Sequence, residues 1–124
     1  MRVFKTRAFV RFARRERIAD SAFCGAVERA ERGNVDADLG GHIIKQRVAR
    51  EGQGRSGGYR TLIAFRSEAR AVFLFGFAKK DQENVSGGEL KELQKAAAEM
   101  LAWSDADVAA LVNAGKWTEI DCDA

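Results

Sequence analysis

"RVAREGQGRSGGYRTLIAFR", residues 47–66, decides the fold because it admits two incompatible readings. Gly52, Gly54 and Gly57 spell G-x-G-x-x-G. That pattern marks a dinucleotide-binding turn only where a strand precedes it and a helix opens within it to receive the pyrophosphate. Here "YRTLIAF" follows, rich in β-branched and aromatic residues, and reads as a strand. The nucleotide reading is rejected. The glycines are expected instead to form a mobile connection between two strands, with room for Arg55 to swing and for the backbone to approach a ligand. An ordinary long hairpin loop has the same spacing.

Outward from this segment, candidate strands cover 42–50, 59–66 and 70–78, the pattern of an antiparallel meander. In "RAVFLFGFA" (70–78), alternation places Phe73, Phe75 and Phe77 on one face and Val72 and Leu74 on the other. The strand is therefore expected to be central and buried on both sides. Arg2–Lys5 reads as a short strand, and Thr6 as the cap of a helix that buries Phe9, Phe12 and Ala13. Arg7, Arg11, Arg14 and Arg15 fall largely on that helix's other side. A second helix opens at Asp20 or Ser21, carries Phe23, Val27 and Ala30, and stops at Gly33; "NVDADLGG" (34–41) reads as a loop. Ser86 with Glu89, and Ser104 with Asp107, fit capping boxes opening two more helices, the second ended near Gly115. "KWTEI" (116–120) adds a last short strand. The fold class is α+β.

A chain of 124 residues with 46% hydrophobic content supports one core, so residues 1–124 are expected to form one domain. The longest apolar run is far short of the ~20 residues that span a bilayer, and no apolar leader follows Met1. Cys24 and Cys122 are isolated, which argues against a disulfide framework or a zinc site and points to a reducing cytoplasm. No cofactor and no metal are expected.

The formal charge of +3 conceals an asymmetry. Residues 1–17 hold seven Lys/Arg and one acid, and 45–80 hold nine and two, whereas 81–124 hold three and ten. Such concentrated positive segments attract phosphate polymers. Lys45 and Arg47 share one strand face at ~7 Å separation. Arg60 lies on the next strand, and Lys79 and Lys80 end the third, so a meander gathers these cations on one face suited to an RNA backbone. A solvated sheet face is the plainer alternative, less favoured by nine cations against two acids. His42 is the only histidine, which excludes a histidine-pair ribonuclease mechanism. Asp36 and Asp38 read as loop acids, and Trp103 and Trp117 as packing for the terminal helices.

The runs "DADLGGHIIKQRVAREGQGRSGGYRTLIAF" and "FLFGFAKKDQENVSGGELKELQKAA" strongly resemble the RelE/ParE superfamily of toxins, closest to its HigB-like branch, over roughly residues 3–102. The resemblance implies two N-terminal helices on a small antiparallel sheet followed by a C-terminal helix or helices. Residues 105–124 form an acidic extension whose charge is expected to shield the basic face. It further implies a ribosome-dependent endoribonuclease that cuts mRNA by attack of a ribose 2′-hydroxyl, without metal. Its partners would be a cognate antitoxin, the ribosome and mRNA. Arg47, Arg60 and Lys79 take the catalytic places, and Lys45, Arg50, Arg55 and Lys80 hold RNA. Several relatives place a tyrosine or histidine near the end of the sheet or chain; here the tail reads "WTEIDCDA" and Phe77 stands where a hydroxylated aromatic is expected. Tyr59 and Asp81 are the available substitutes. A ParE-like toxin acting on DNA gyrase, or a degenerate toxin that only binds its antitoxin, are the competing readings.

Overall fold

The computed structural model describes residues 1–50, 54–78 and 87–122, with the backbone alone for Arg50 and residues 54–57. The chain runs β1 (Arg2–Thr6), α1 (Arg7–Glu16), α2 (Asp20–Glu31), β2 (Ala37–Gly40), β3 (Ile43–Arg50), β4 (Gly54–Arg66), β5 (Arg70–Ala78), α3 (Gly87–Ala102), α4 (Asp105–Asn113) and β6 (Trp117–Ile120). This is the expected α+β class. The six strands form one sheet in the order β2-β3-β4-β5-β1-β6. It is antiparallel except where β1 lies parallel to β5, so the meander is extended into a mixed sheet by the two chain ends.

Local signals account for most of the elements. The Thr6 hydroxyl accepts from Phe9 N–H at 3.2 Å and starts α1, and Ser104 with Asp107 forms the expected capping box of α4. Gly33 and Gly115 take φ of 88° and 74°, as glycines beyond helix ends do. Ser86 lies outside the described residues. Two readings change. The segment taken as a loop at 34–41 contains β2, whose pairing to the edge of β3 outweighs a sequence with no β-branched residue at 37–40. β4 begins at Gly54 rather than 59, so the glycine-rich run from there on is paired strand, with Gly54 opposite Arg50.

The sheet is covered on both faces. α1 and α2 bury Phe9, Phe12, Phe23 and Val27 against Val3, Ile44, Ile63 and Phe73. α3 and α4 bury Ala97, Leu101 and Val108 against Phe4, Ile43, Leu62 and Val72, with the Trp117 ring 5.6 Å from that of Trp103 and tilted to it by 36°. β5 is central, with Val72 and Phe73 fully buried, but strict alternation fails within it. Ile63 pairs with Phe73 and Leu62 with Phe75, so Leu74 is an extra residue in a bulge. Phe73 therefore faces α1, while Phe75 and Phe77 face the α3 side; Gly76 lies under the Phe12 ring.

Two polar devices tie helices to strands. Gln46, fully buried, donates to Ala26 O at 2.9 Å and to Asn34 O at 3.2 Å, and accepts from Asp36 N–H at 2.7 Å. Arg70, 8% exposed, donates to Met100 O at 2.6 Å in the last turn of α3, where a cation is favoured.

The cysteines correct the sequence reading. Cys24 in α2 and Cys122 beyond β6 form a disulfide that closes a separation of 98 residues. No spacing signature exists for a pair joined only by tertiary structure. The acidic C-terminal segment forms the expected helix and edge strand, but at the edge away from the basic strands it was expected to shield. β6 lies at the sheet edge remote from β3 and β4, and acids of this segment serve other cations: Glu119 of β6 receives the Arg2 fork at 2.9 and 3.0 Å, and Asp105 at the start of α4 meets Arg70 at 3.3 Å. The Arg2 hydrogen bonds hold the Glu119 carboxyl below its ordinary range.

Three stability measurements follow from this packing. Gly76→Ala drives a methyl group into the Phe12 ring and should cost about 1–3 kcal/mol in urea unfolding. Gln46→Leu strands Ala26 O, Asn34 O and Asp36 N–H, with a cost of about 1–3 kcal/mol. Cys122→Ser, or reduction of the wild type, should lower stability by about 2–4 kcal/mol; an unchanged midpoint would show that the two sulfurs are not joined.

Candidate nucleic-acid interface

The register of β3 against β4 builds the site. Lys45 pairs with Leu62, Gln46 with Thr61 and Arg47 with Arg60; on the next strand Arg60 pairs with Phe77 and Leu62 with Phe75. Period-two alternation puts Lys45, Arg47, Arg60, Phe75 and Phe77 on the face of Leu62, and Gln46, Thr61 and Tyr59 on the face covered by α1 and α2. Arg47 and Arg60 are therefore direct cross-strand neighbours, with Cβ atoms about 5 Å apart. The structure thus brings Arg47 and Arg60 side by side on one face.

Like charges directly opposite one another destabilise a sheet, so something must hold the pair in place. Asp36 does so for Arg47, whose Nε lies 3.4 Å from Asp36 Oδ1 and whose backbone N–H donates to Oδ2 at 2.6 Å. Asp36 is itself fixed through its N–H to Gln46. Read from the sequence as a loop acid, it is a positioning residue. Its role depends on β2 pairing with β3, which the sequence did not announce. On the outer side, Arg29 Nη2 donates to Arg47 O at 2.5 Å.

Arg60 is different in kind. It is half-buried, and among the described residues its guanidinium makes only a long contact of 3.4 Å to Tyr59 O. Burial lowers its pKa first and the neighbouring Arg47 lowers it further, with Asp36 opposing in part. Arginine nevertheless stays protonated at neutral pH. Arg60 is thus a partly desolvated cation, repelled by its neighbour and lacking a carboxylate of its own among the described residues. An anion bridging Arg47 and Arg60 relieves both conditions.

Lys45 is half-buried on the same face, beside Leu62. Lys79, Lys80 and Asp81 lie outside the described residues, as do the side chains of Arg50 and Arg55. Ala78, which precedes Lys79, pairs with Tyr59. Tyr59 does not substitute for a catalytic hydroxyl at the arginine pair. It is 1% exposed on the opposite face, edge-on to Phe12 at 5.6 Å, and its hydroxyl donates to Glu16 Oε1 at 3.0 Å. His42 is exposed in the β2–β3 turn at φ 65°.

The aromatic pair was missed. Phe75, 40% exposed, and Phe77 have ring centroids 5.9 Å apart, immediately across the strand from Leu62 and Arg60. Beside them, Leu74, Phe75, Glu89, Glu92, Leu93 and Ala96 line a groove of about 380 Å³ between β5 and α3. The signal that would have found them is the bulge at Leu74, which alternation alone conceals. Arginine forks next to an exposed aromatic ring are the paired elements that bind phosphates and bases of a single strand.

No curated protein matches the chain. The family model described as the RelE toxin of the RelE / RelB toxin-antitoxin system matches residues 1–120, from β1 through β6. With the arginine pair on its open sheet face, this chain belongs to the RelE toxin family, the toxins of toxin–antitoxin systems whose counterpart is an antitoxin.

Proposed function

We propose that this chain is a ribosome-dependent mRNA endoribonuclease of the HigB-like branch, working in the cytoplasm as one toxin domain and held inactive by a cognate antitoxin. The observation that carries the reading is the Arg47–Arg60 pair: two adjacent guanidinium groups, one braced by Asp36 and one without a carboxylate of its own among the described residues. In the proposed reaction the 2′-oxygen attacks the neighbouring phosphorus and the bond from phosphorus to the 5′-oxygen breaks. The 2′-hydroxyl proton passes to a base and a proton is delivered to the leaving oxygen, giving a cyclic phosphate and a free 5′-hydroxyl. No metal is required. Charge on the non-bridging oxygens grows in the transition state, and fixed cations aimed there supply the main stabilisation.

Arg60 takes that role directly and Arg47 shares it. Lys79, which follows β5 in the sequence, is assigned to proton transfer. Lys45, Arg50, Arg55 and Lys80 are assigned to the flanking phosphates.

A second reading, a ParE-like toxin acting on DNA gyrase, draws on the burial of the Tyr59 hydroxyl away from the arginine pair. Mapping mRNA 5′ ends after induced expression separates the two. Cleavage within translated messages, lost by about 10²-fold or more in Arg60→Ala and to a smaller extent in Asp36→Asn, is the expected result. Intact transcripts accompanied by DNA damage would replace the nuclease reading with the gyrase one. Undiminished cleavage by Arg60→Ala would remove Arg60 from the site.

A further inference from the structure

A second cationic surface lies on the other side of the sheet. Arg7, Arg11 and Arg14 are all exposed on α1, spaced four and three residues apart and therefore on one stripe, about 6 and 4.5 Å apart along the axis. Among the described residues none of the three has a carboxylate within ion-pair distance, whereas the adjacent Arg15 is engaged by Glu16 at 3.3 Å and lies over the Phe12 ring. The stripe opposes the stability of its own helix. Like charges at these spacings repel, and Arg7 occupies the first helical position, at the positive end of the dipole, with no acid in the first turn. α1 has meanwhile spent its apolar side on the core, where Phe9, Phe12 and Ala13 are buried. The outward surface offers no aromatic anchor around which a protein partner could pack.

We propose that Arg7, Arg11 and Arg14 form a docking stripe for the phosphate backbone of duplex RNA, distinct from the single-strand face at Arg47 and Arg60. A rigid row of guanidinium forks at these intervals suits successive phosphates along one strand of a rigid helix. A-form duplexes are recognised mainly through such shape and backbone contacts. α1 packs on the Phe73 face of β5 while Arg60 stands on the Phe77 face, so the two cationic surfaces point away from each other and can engage two RNA elements at once. The identification of that duplex as ribosomal RNA rests on the cleavage reading; the duplex binding itself does not. Simultaneous engagement raises the effective concentration of a message held beside the duplex.

The test titrates the full chain with a blunt-ended RNA duplex over a range of KCl concentrations, for wild type, Arg60→Ala, and the triple variants Arg7→Gln/Arg11→Gln/Arg14→Gln and Arg7→Lys/Arg11→Lys/Arg14→Lys. The glutamine triple should bind at least about tenfold more weakly at low salt, with the slope of log K against log salt reduced by about 2.5. The lysine triple should keep that slope. Arg60→Ala should keep duplex affinity while losing cleavage, so that failure of the nuclease reading leaves this result standing. Thermal unfolding of the glutamine triple should be unchanged or raised, since repulsion within α1 is relieved. An unchanged slope in the glutamine triple would show a merely solvated stripe. Displacement of the duplex by polyglutamate at equal charge concentration would reassign the stripe to an acidic protein. Loss of duplex binding in Arg60→Ala equal to that in the triple would place all RNA on the sheet face.

Discussion

The register between β3 and β4 is locked from behind. Gln46 and Thr61 face each other on the buried side, where Thr61 Oγ1 donates to Gln46 O at 2.9 Å and the Gln46 amide satisfies three backbone groups from α2 and the segment leading to β2. A buried amide with every partner in place fits one arrangement only, because any shift leaves donors and acceptors stranded in a low-dielectric interior. A slip of one residue between the strands would turn Arg47 or Arg60 into the core and Val48 or Tyr59 out of it. The adjacency of two arginines on the open face, unfavourable in itself, is a consequence of order on the hidden one. Asp36 joins the two sides, since its N–H belongs to the Gln46 node and its carboxylate to Arg47.

β5 makes the second contribution by breaking its own alternation. A regular strand would have sent Phe73, Phe75 and Phe77 to one side, burying all three or exposing all three. The extra residue at Leu74 divides them, giving Phe73 to the α1–α2 core, where it meets Phe9 at 5.0 Å, and leaving Phe75 and Phe77 beside Arg60. Gly76 completes the arrangement, since the space its missing side chain leaves is taken by the Phe12 ring. Packing on one face thus shapes chemistry on the other.

Much of this was legible in the sequence, and the exceptions share a cause. Thr6, Ser104, Gly33 and Gly115 act through neighbours within a few residues, so capping and helix ends could be read directly. The three long strands declared themselves by composition, their alternation gathered Lys45, Arg47 and Arg60 on one face, and the resemblance over residues 3–102 agreed with the order of elements; the direct pairing of Arg47 with Arg60 came from the register. What escaped depends on long-range partners. β2 is a strand only because β3 offers an edge; the Leu74 bulge is set by pairing to β4; Cys24 and Cys122 meet across 98 residues. Asp36 belongs to the same group, since nothing within reach along the chain marks it as the support of Arg47. Tyr59 was open to either face until the register was known.

Charge follows the same rule of local partners over totals. A net of +3 suggests mild basicity, yet the sheet order distributes compensation unevenly. In the C-terminal segment Glu119 is engaged by Arg2 and Asp105 by Arg70 at the β1–β6 end, and Asp20 is taken by the 9%-exposed Lys5 at 2.7 Å. These pairs stabilise the fold and contribute little to the outer field. With Glu119 and Asp105 engaged at the far edge, Arg7, Arg11 and Arg14 of α1 on one face and Arg60 on the other have no carboxylate partner among the described residues, and such cations set the potential that a polyanion meets. The acidic tail is thereby held away from β3, and the carboxylate that acts on Arg60 is that of Asp36, already shared with Arg47.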